Sequence, residues 1–127
     1  MILIPASHGE LADKITILRI KRDRIGDNAK RANVERELSL LEDIAAREAA
    51  GFRPVEPLLA ELTAINAKLW DIEDAKRAAE RAQRFDGDFI AMARAVYLEN
   101  DRRAVIKRQI NDAFGSDIVE EKSHHGL

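Results

Sequence analysis

Three polar side chains sit where a helix of this protein should be apolar. On a helical wheel at about 100° per residue, Asn100, Arg103 and Lys107 fall within the stripe drawn by Phe89, Met92, Val96, Ile110 and Phe114. A guanidinium and an ammonium one turn apart can grip a carboxylate or phosphate from the same side, and an asparagine adds a donor and an acceptor to orient it. Folding the preceding helix back antiparallel brings Asn66 and Glu73 roughly opposite Tyr97 to Lys107, while Arg22 interrupts the apolar line between Leu18 and Ile25. Arg22, Asn66, Glu73, Tyr97, Asn100, Arg103 and Lys107 are therefore the candidate ligand-binding residues. Glu73, with cations around it, is the candidate for any acid or base chemistry.

Two readings of this set compete, because buried charge is costly unless paired or used. In the plainer reading, the long side chains snorkel to water or pair as a structural network. In the sharper one, they line a pocket between helices for an anionic metabolite. The plainer reading is the default, since charged stripes on helices are usually solvated faces.

Other chemistry is poorly supported. The chain has no cysteine, which excludes disulfides, thiolate catalysis and cysteine-ligated zinc. His124 and His125 are adjacent, so their side chains diverge, and no third ligand stands at metal spacing; neither a metal nor a cofactor is expected. His8 adjoins a predicted helix cap and is read as a cap or surface residue. Ser7 and Ser123 come with no nucleophile elbow and no ordered triad. Phosphate-cradling glycine loops, dinucleotide fingerprints and calcium loops are all absent from the sequence. With 21 basic and 23 acidic side chains, the net charge of −2 gives no overall field for nucleic acid or anionic membrane. The local basic clusters, Arg19-Ile20-Lys21-Arg22 and Arg102-Arg103 with Lys107-Arg108, are diluted by Asp23, Glu99 and Asp101, so nucleic-acid binding is disfavoured. No segment is long enough to span a bilayer and the start lacks an export leader, which makes a cytoplasmic protein the expectation.

The elements that must position these residues are helices. With 35% charged and 5% aromatic residues, three prolines and six glycines, the 127-residue chain matches one helical domain over 1–127, large enough to bury a core. Ile2 to Pro5 reads as a short strand or extended arm. Ser7-His8-Gly9-Glu10 has capping-box spacing and starts the first helix, which Gly26-Asp27-Asn28 ends. A second helix runs from about Ala29 to Ala50 with Val34, Leu38, Leu41 and Ala45 inward. Pro54 and Pro57 mark the chain reversal after Gly51. A third helix carries Leu58, Leu62, Ile65, Leu69 and Ile72 to about Gln83, and a fourth runs from Phe89 to Phe114, stopped by Gly115. Short connections predict an all-α fold of two antiparallel hairpins sharing one core, with a short C-terminal tail from Ser116. Ile17 and Ile20 lie well away from the Leu11, Ile15, Leu18 stripe, so the first helix either sits between neighbours or faces a partner subunit. Those two residues and Trp70, the single tryptophan, are the interface candidates.

Several blocks together carry a resemblance. Gly9-Glu10 with Asp13-Lys14-Ile15, Asn66 with Leu69-Trp70-Asp71-Ile72-Glu73-Asp74, Phe89-Ile90, Ala93-Arg94, Val96-Tyr97, Asn100-Asp101, Lys107, Ile110-Asn111, and Gly115-Ser116 followed by Val119-Glu120-Glu121-Lys122-Ser123 resemble the bacterial family catalogued as domain of unknown function 6165. The resemblance covers nearly the whole chain and implies no reaction, cofactor or catalytic residue. His124 departs from it, since an aromatic residue usually follows that serine. A slighter likeness, Glu10-x-x-Asp13-Lys14 with Lys21-Arg22, is to the first helix of helical chorismate mutases, which hold a dianion between helices; it implies only the idea of an anion pocket. The expected function is that of a non-enzymatic accessory or interaction protein, self-associating through the first helix. The alternatives are a pocket or small enzyme for an anionic metabolite and, third, a nucleic-acid binder.

Overall fold

A computed structural model of the chain describes residues 1–119 and Glu121. His124 and His125 lie outside the described residues. Ser7 caps the first helix, α1 (His8–Arg24), its Oγ accepting from Glu10 N at 3.1 Å. The glutamate half of the expected capping box is missing from the cap, because the Glu10 carboxylate reaches across to another helix. Asp27 caps α2 (Asn28–Glu48) by accepting from Lys30 N, and the Arg31 guanidinium donates to the Ile25 carbonyl, tying the turn of the first hairpin.

The reversal after α2 is a 3₁₀ segment, Ala50–Val55, in which Ala50, Gly51 and Phe52 all have positive φ. Glycine tolerates that conformation and a side-chain-bearing residue resists it. The compensation is burial of the Phe52 ring, which meets Phe114 edge-on at 5.8 Å. His8 stacks on the other side of Phe114 at 4.7 Å, and this packing is the role the structure gives it. Pro57 lies in the first turn of α3 (Glu56–Arg81), where its missing N–H costs nothing. Asp86 caps α4 (Gly87–Phe114), and Gly115 in the left-handed conformation ends it.

The four helices form the expected all-α arrangement, hairpins α1–α2 and α3–α4 around one core in which Ile15, Leu62 and Ile110 are almost fully enclosed. Helix α1 packs against all three others, whereas α2 buries little beyond Leu38 and Ala45. The second apolar side of α1 is explained by this central position: Ile20 is buried within the monomer and Ile17 is half-buried. Trp70 is likewise half-buried, with the Arg24 guanidinium 5.9 Å above its ring and Arg24 paired to Asp71. The N-terminal arm stays outside any element, with Met1 to Ile4 exposed.

One acid holds α3 to α4. Glu99, read from the sequence as a diluting surface charge, is only 4% exposed and accepts from Lys68 Nζ at 2.9 Å and from Arg102 Nη1 at 3.1 Å. The hydrogen bond from Lys68, with the nearby charges of Arg102 and Lys68, outweighs the effect of burial and keeps this carboxyl below its ordinary value of 4.5. A carboxyl depressed in the folded state stabilises fully above its unfolded pKa and loses that contribution as pH falls through the folded value. The melting temperature should therefore drop as pH is lowered below about 4.5, and Glu99→Gln should lower it at neutral pH while flattening that acid slope. Melts followed by circular dichroism between neutral and acid pH check both effects; an unchanged slope in the variant would remove Glu99 from the acid response.

Candidate functional site

Helices α1 and α4 run antiparallel and meet through a polar seam instead of an apolar one. Gly9 makes the approach possible. Its N–H donates to Asn111 Oδ1 at 2.6 Å, and a Cβ at this position would overlap the Lys107 carbonyl oxygen. On the next side chain along, Glu10 accepts from Lys107 Nζ at 2.8 Å. One helical turn on from Gly9 stands Asp13, 2% exposed, whose Oδ1 accepts from Arg103 Nε at 2.9 Å while Oδ2 accepts from Arg103 Nη2. Lys107 Nζ lies 3.8 Å from the same Oδ2.

Helix α3 supplies the floor. Asn66 Nδ2 donates to Asp13 Oδ1 and to Thr16 Oγ1, both at 2.9 Å, and the Thr16 hydroxyl donates to the Asp13 carbonyl at 2.8 Å. The two-pronged Arg103–Asp13 contact fixes the guanidinium plane as well as its charge. Among the described residues, no buried side-chain nitrogen or oxygen is left without a hydrogen-bond partner.

Above this network a cleft of ≈310 Å³ opens, with Glu10, Asp13, Asn100, Arg103, Lys107 and Asn111 on its inner wall and Arg108 and Glu121 at its mouth. The Arg108 guanidinium donates to Glu121 Oε2 at 3.3 Å, an exposed pair. Glu121 follows the end of α4 and is no part of the helical walls. Among the described residues the lining carries three cations, Arg103, Lys107 and Arg108, and three carboxylates, Glu10, Asp13 and Glu121.

The structure thus brings together Asn66, Asn100, Arg103 and Lys107 from the sequence-based set, and leaves three members elsewhere. Glu73 lies about 10 Å further along α3 than Asn66 and pairs with Arg77 on an exposed face. Arg22 pairs with its neighbour Asp23. Tyr97 is exposed on the outer side of α4. Glu10 and Asp13, which complete the site, were absent from the set. Their signal was present: Asp13 lies on the second apolar face of α1, beside Ile17 and Ile20, as an acid at a core position.

A scan against family models matches residues 2–126 to a family of unknown function, DUF6165. The chain belongs to that family. No curated protein and no solved structure matches it. Of the blocks through which the sequence resembles DUF6165, Glu10, Asp13, Asn100, Lys107 and Asn111 line the α1–α4 cleft and Gly9 and Asn66 hydrogen-bond to its residues, whereas Ile90, Arg94 and Tyr97 are exposed elsewhere on α4. The Trp70 block lies away from it. Beneath the cleft, the Thr16 hydroxyl is engaged with the Asp13 carbonyl. Among the described residues no group of three or more His, Asp or Glu side chains is placed to hold a metal ion.

Proposed function

We propose that this is a non-enzymatic accessory protein whose α1–α4 cleft binds a small anionic ligand through Arg108, Lys107 and Asn100. The observation that carries this reading is Glu121: a carboxylate from outside the helical walls sits at the mouth of the cleft on Arg108. An exposed ion pair of that kind contributes only about 0–1 kcal/mol, so a carboxylate or phosphate of a ligand can take its place at little cost. The cleft has room for one small molecule. The rival role, a structural network and nothing more, is favoured by the complete pairing of the buried polar atoms. That argument covers Asp13 and Asn66 at the base and leaves the exposed Arg108 unexplained. A cytoplasmic setting is compatible with the absence of cysteine, and among the described residues no helix is long and apolar enough to cross a membrane.

The test is thermal shift with citrate and with inorganic phosphate at constant ionic strength. A ligand at a hundredfold its dissociation constant stabilises by about 2.7 kcal/mol, a rise of roughly 10 °C for a chain of this size. The rise should be seen in the parent and be mostly lost in Arg108→Ala, whose side chain makes no buried contact. Equal shifts in parent and variant would mean that the anion acts elsewhere.

A further inference from the structure

Helix α4 has a third face, turned by roughly 150° from its core residues Ile106 and Ile110 and by roughly 120° from the cleft residues Asn100 and Lys107. It carries Ile90, Arg94, Tyr97, Leu98, Asp101 and Val105, and its four apolar members are between 49% and 63% exposed. Ile90 to Tyr97, Arg94 to Asp101 and Leu98 to Val105 are each one heptad apart, the spacing of a seam between helices. Ile90, Arg94, Tyr97 and Leu98 are exposed, while Asp101 is half-buried and with Val105 borders a groove against Glu61 and Ile65 of α3.

We propose that this face is a self-association surface, and that its occupant is the same helix of a second copy, running antiparallel. The order of residues is self-complementary. A two-fold axis passing between Tyr97 and Leu98 sets Ile90 opposite Val105 of the partner subunit, Tyr97 opposite Leu98 of the partner subunit, and Arg94 opposite Asp101 of the partner subunit. Both apolar pairs and the opposite-charge pair arise in one register, and the symmetry repeats each of them, as a two-fold interface requires. Parallel pairing would set Arg94 against Arg94 and Asp101 against Asp101, so charge selects the antiparallel arrangement. The apolar seam from Ile90 to Val105 is roughly 22 Å long, at the small end for a stable interface, which points to a dissociation constant on the order of micromolar. It is a different surface from that of Ile17 and Ile20, of which Ile20 is buried within the monomer and Ile17 is half-buried.

Sedimentation velocity from about 5 μM to about 500 μM tests it. The parent should pass from monomer to dimer within that range. Arg94→Asp or Asp101→Arg alone puts like charges opposite each other and should weaken association at least tenfold, while the Arg94→Asp/Asp101→Arg double variant should return to within about threefold of the parent. A parent that remains monomeric throughout overturns the proposal, as does a dimer indifferent to the single exchanges. A second variant guards against loss of fold: the chain has no cysteine, so Leu98→Cys introduces its one thiol, close to the proposed axis. Mild oxidation should link Leu98→Cys into a dimer and leave Ser39→Cys, exposed on α2, monomeric. Equal cross-linking of the two, or none in either, would also overturn it.

Discussion

Gly9→Ala should destabilise the protein by about 2 kcal/mol or more, lowering its melting temperature by roughly 5–10 °C. The sign is diagnostic. Inside a helix, alanine is ordinarily favoured over glycine by up to about 1 kcal/mol, and Gly9 is in the first turns of α1 with helical neighbours on both sides. Here the new methyl group would overlap the Lys107 carbonyl oxygen and stand 2.9 Å from Asn111 Oδ1. The first of these is backbone in the middle of α4 and cannot rotate away, so α1 must shift outward. That shift lengthens the Gly9–Asn111 hydrogen bond and pulls Glu10 from Lys107 as well. Gly87→Ala is the internal control: it too is helical, but a Cβ there meets nothing within 4 Å, so the change should be neutral or mildly stabilising. Parallel thermal melts of the two variants decide the matter. A Gly9→Ala protein as stable as Gly87→Ala would mean that α1 and α4 are not in close contact at this point.

The second large effect belongs to Asp13. Removing its carboxylate by Asp13→Ala withdraws a two-pronged acceptor of Arg103, whose side chain is 29% exposed, and one of the two acceptors of Asn66 from a position that is itself 2% exposed. Breaking a buried pair by deleting one partner typically costs about 3–5 kcal/mol, and the partial exposure of Arg103 puts the expected loss at the lower end, about 3 kcal/mol. Against a total stability of about 5–15 kcal/mol for an ordinary domain, that is a large share. Replacing both partners with apolar groups of similar size removes the uncompensated charge. Asp13→Leu with Arg103→Met should therefore be closer to the parent than Asp13→Ala. Urea unfolding gives both values. A loss below about 1 kcal/mol for Asp13→Ala would show that the pair is dispensable to the fold.

Much of this architecture is legible in the sequence because its punctuation is local. Ser7, Asp27, Asp86 and Gly115 are capping residues whose chemistry depends on the next few amides alone, and each bounds a helix as its type predicts. The apolar spacing of Leu62, Ile65 and Ile110 identifies the inward faces for the same reason. Half of the site was legible too. Asn100, Arg103 and Lys107 betrayed themselves as polar residues inside an apolar stripe, and Asn66 followed from folding α3 back on α4. Asp13 is the same signal on α1, an acid on an apolar face, but no local rule says which helix will lie against that face.

Glu73 and Glu99 mark where local reasoning ends. Both are acids on neighbouring antiparallel helices, and the register between α3 and α4 alone decides their fates. That register places Lys68 against Glu99 and leaves Glu73 facing outward with Arg77. Side-chain rotation adds a further uncertainty for Arg22, which can reach several directions from one Cα and pairs with Asp23. Arg108 was visible only as one member of a basic cluster. Its meaning came from Glu121, whose approach depends on the path of the chain beyond Gly115 and on no periodicity.

If the cleft is an anion site whose mouth is occupied by the chain's own carboxylate, that carboxylate competes with any guest. The most direct test is isothermal titration of citrate and of inorganic phosphate into the parent and into Glu121→Gln, at constant ionic strength and neutral pH. Removing the charge of Glu121 leaves Arg108 in place and frees it of an exposed competitor worth up to about 1 kcal/mol, so Glu121→Gln should bind the same anion up to about fivefold more tightly than the parent. Binding that is absent from both proteins, or equally strong in both, would contradict the assignment of the α1–α4 cleft as an anion site and leave its polar network a device for folding alone.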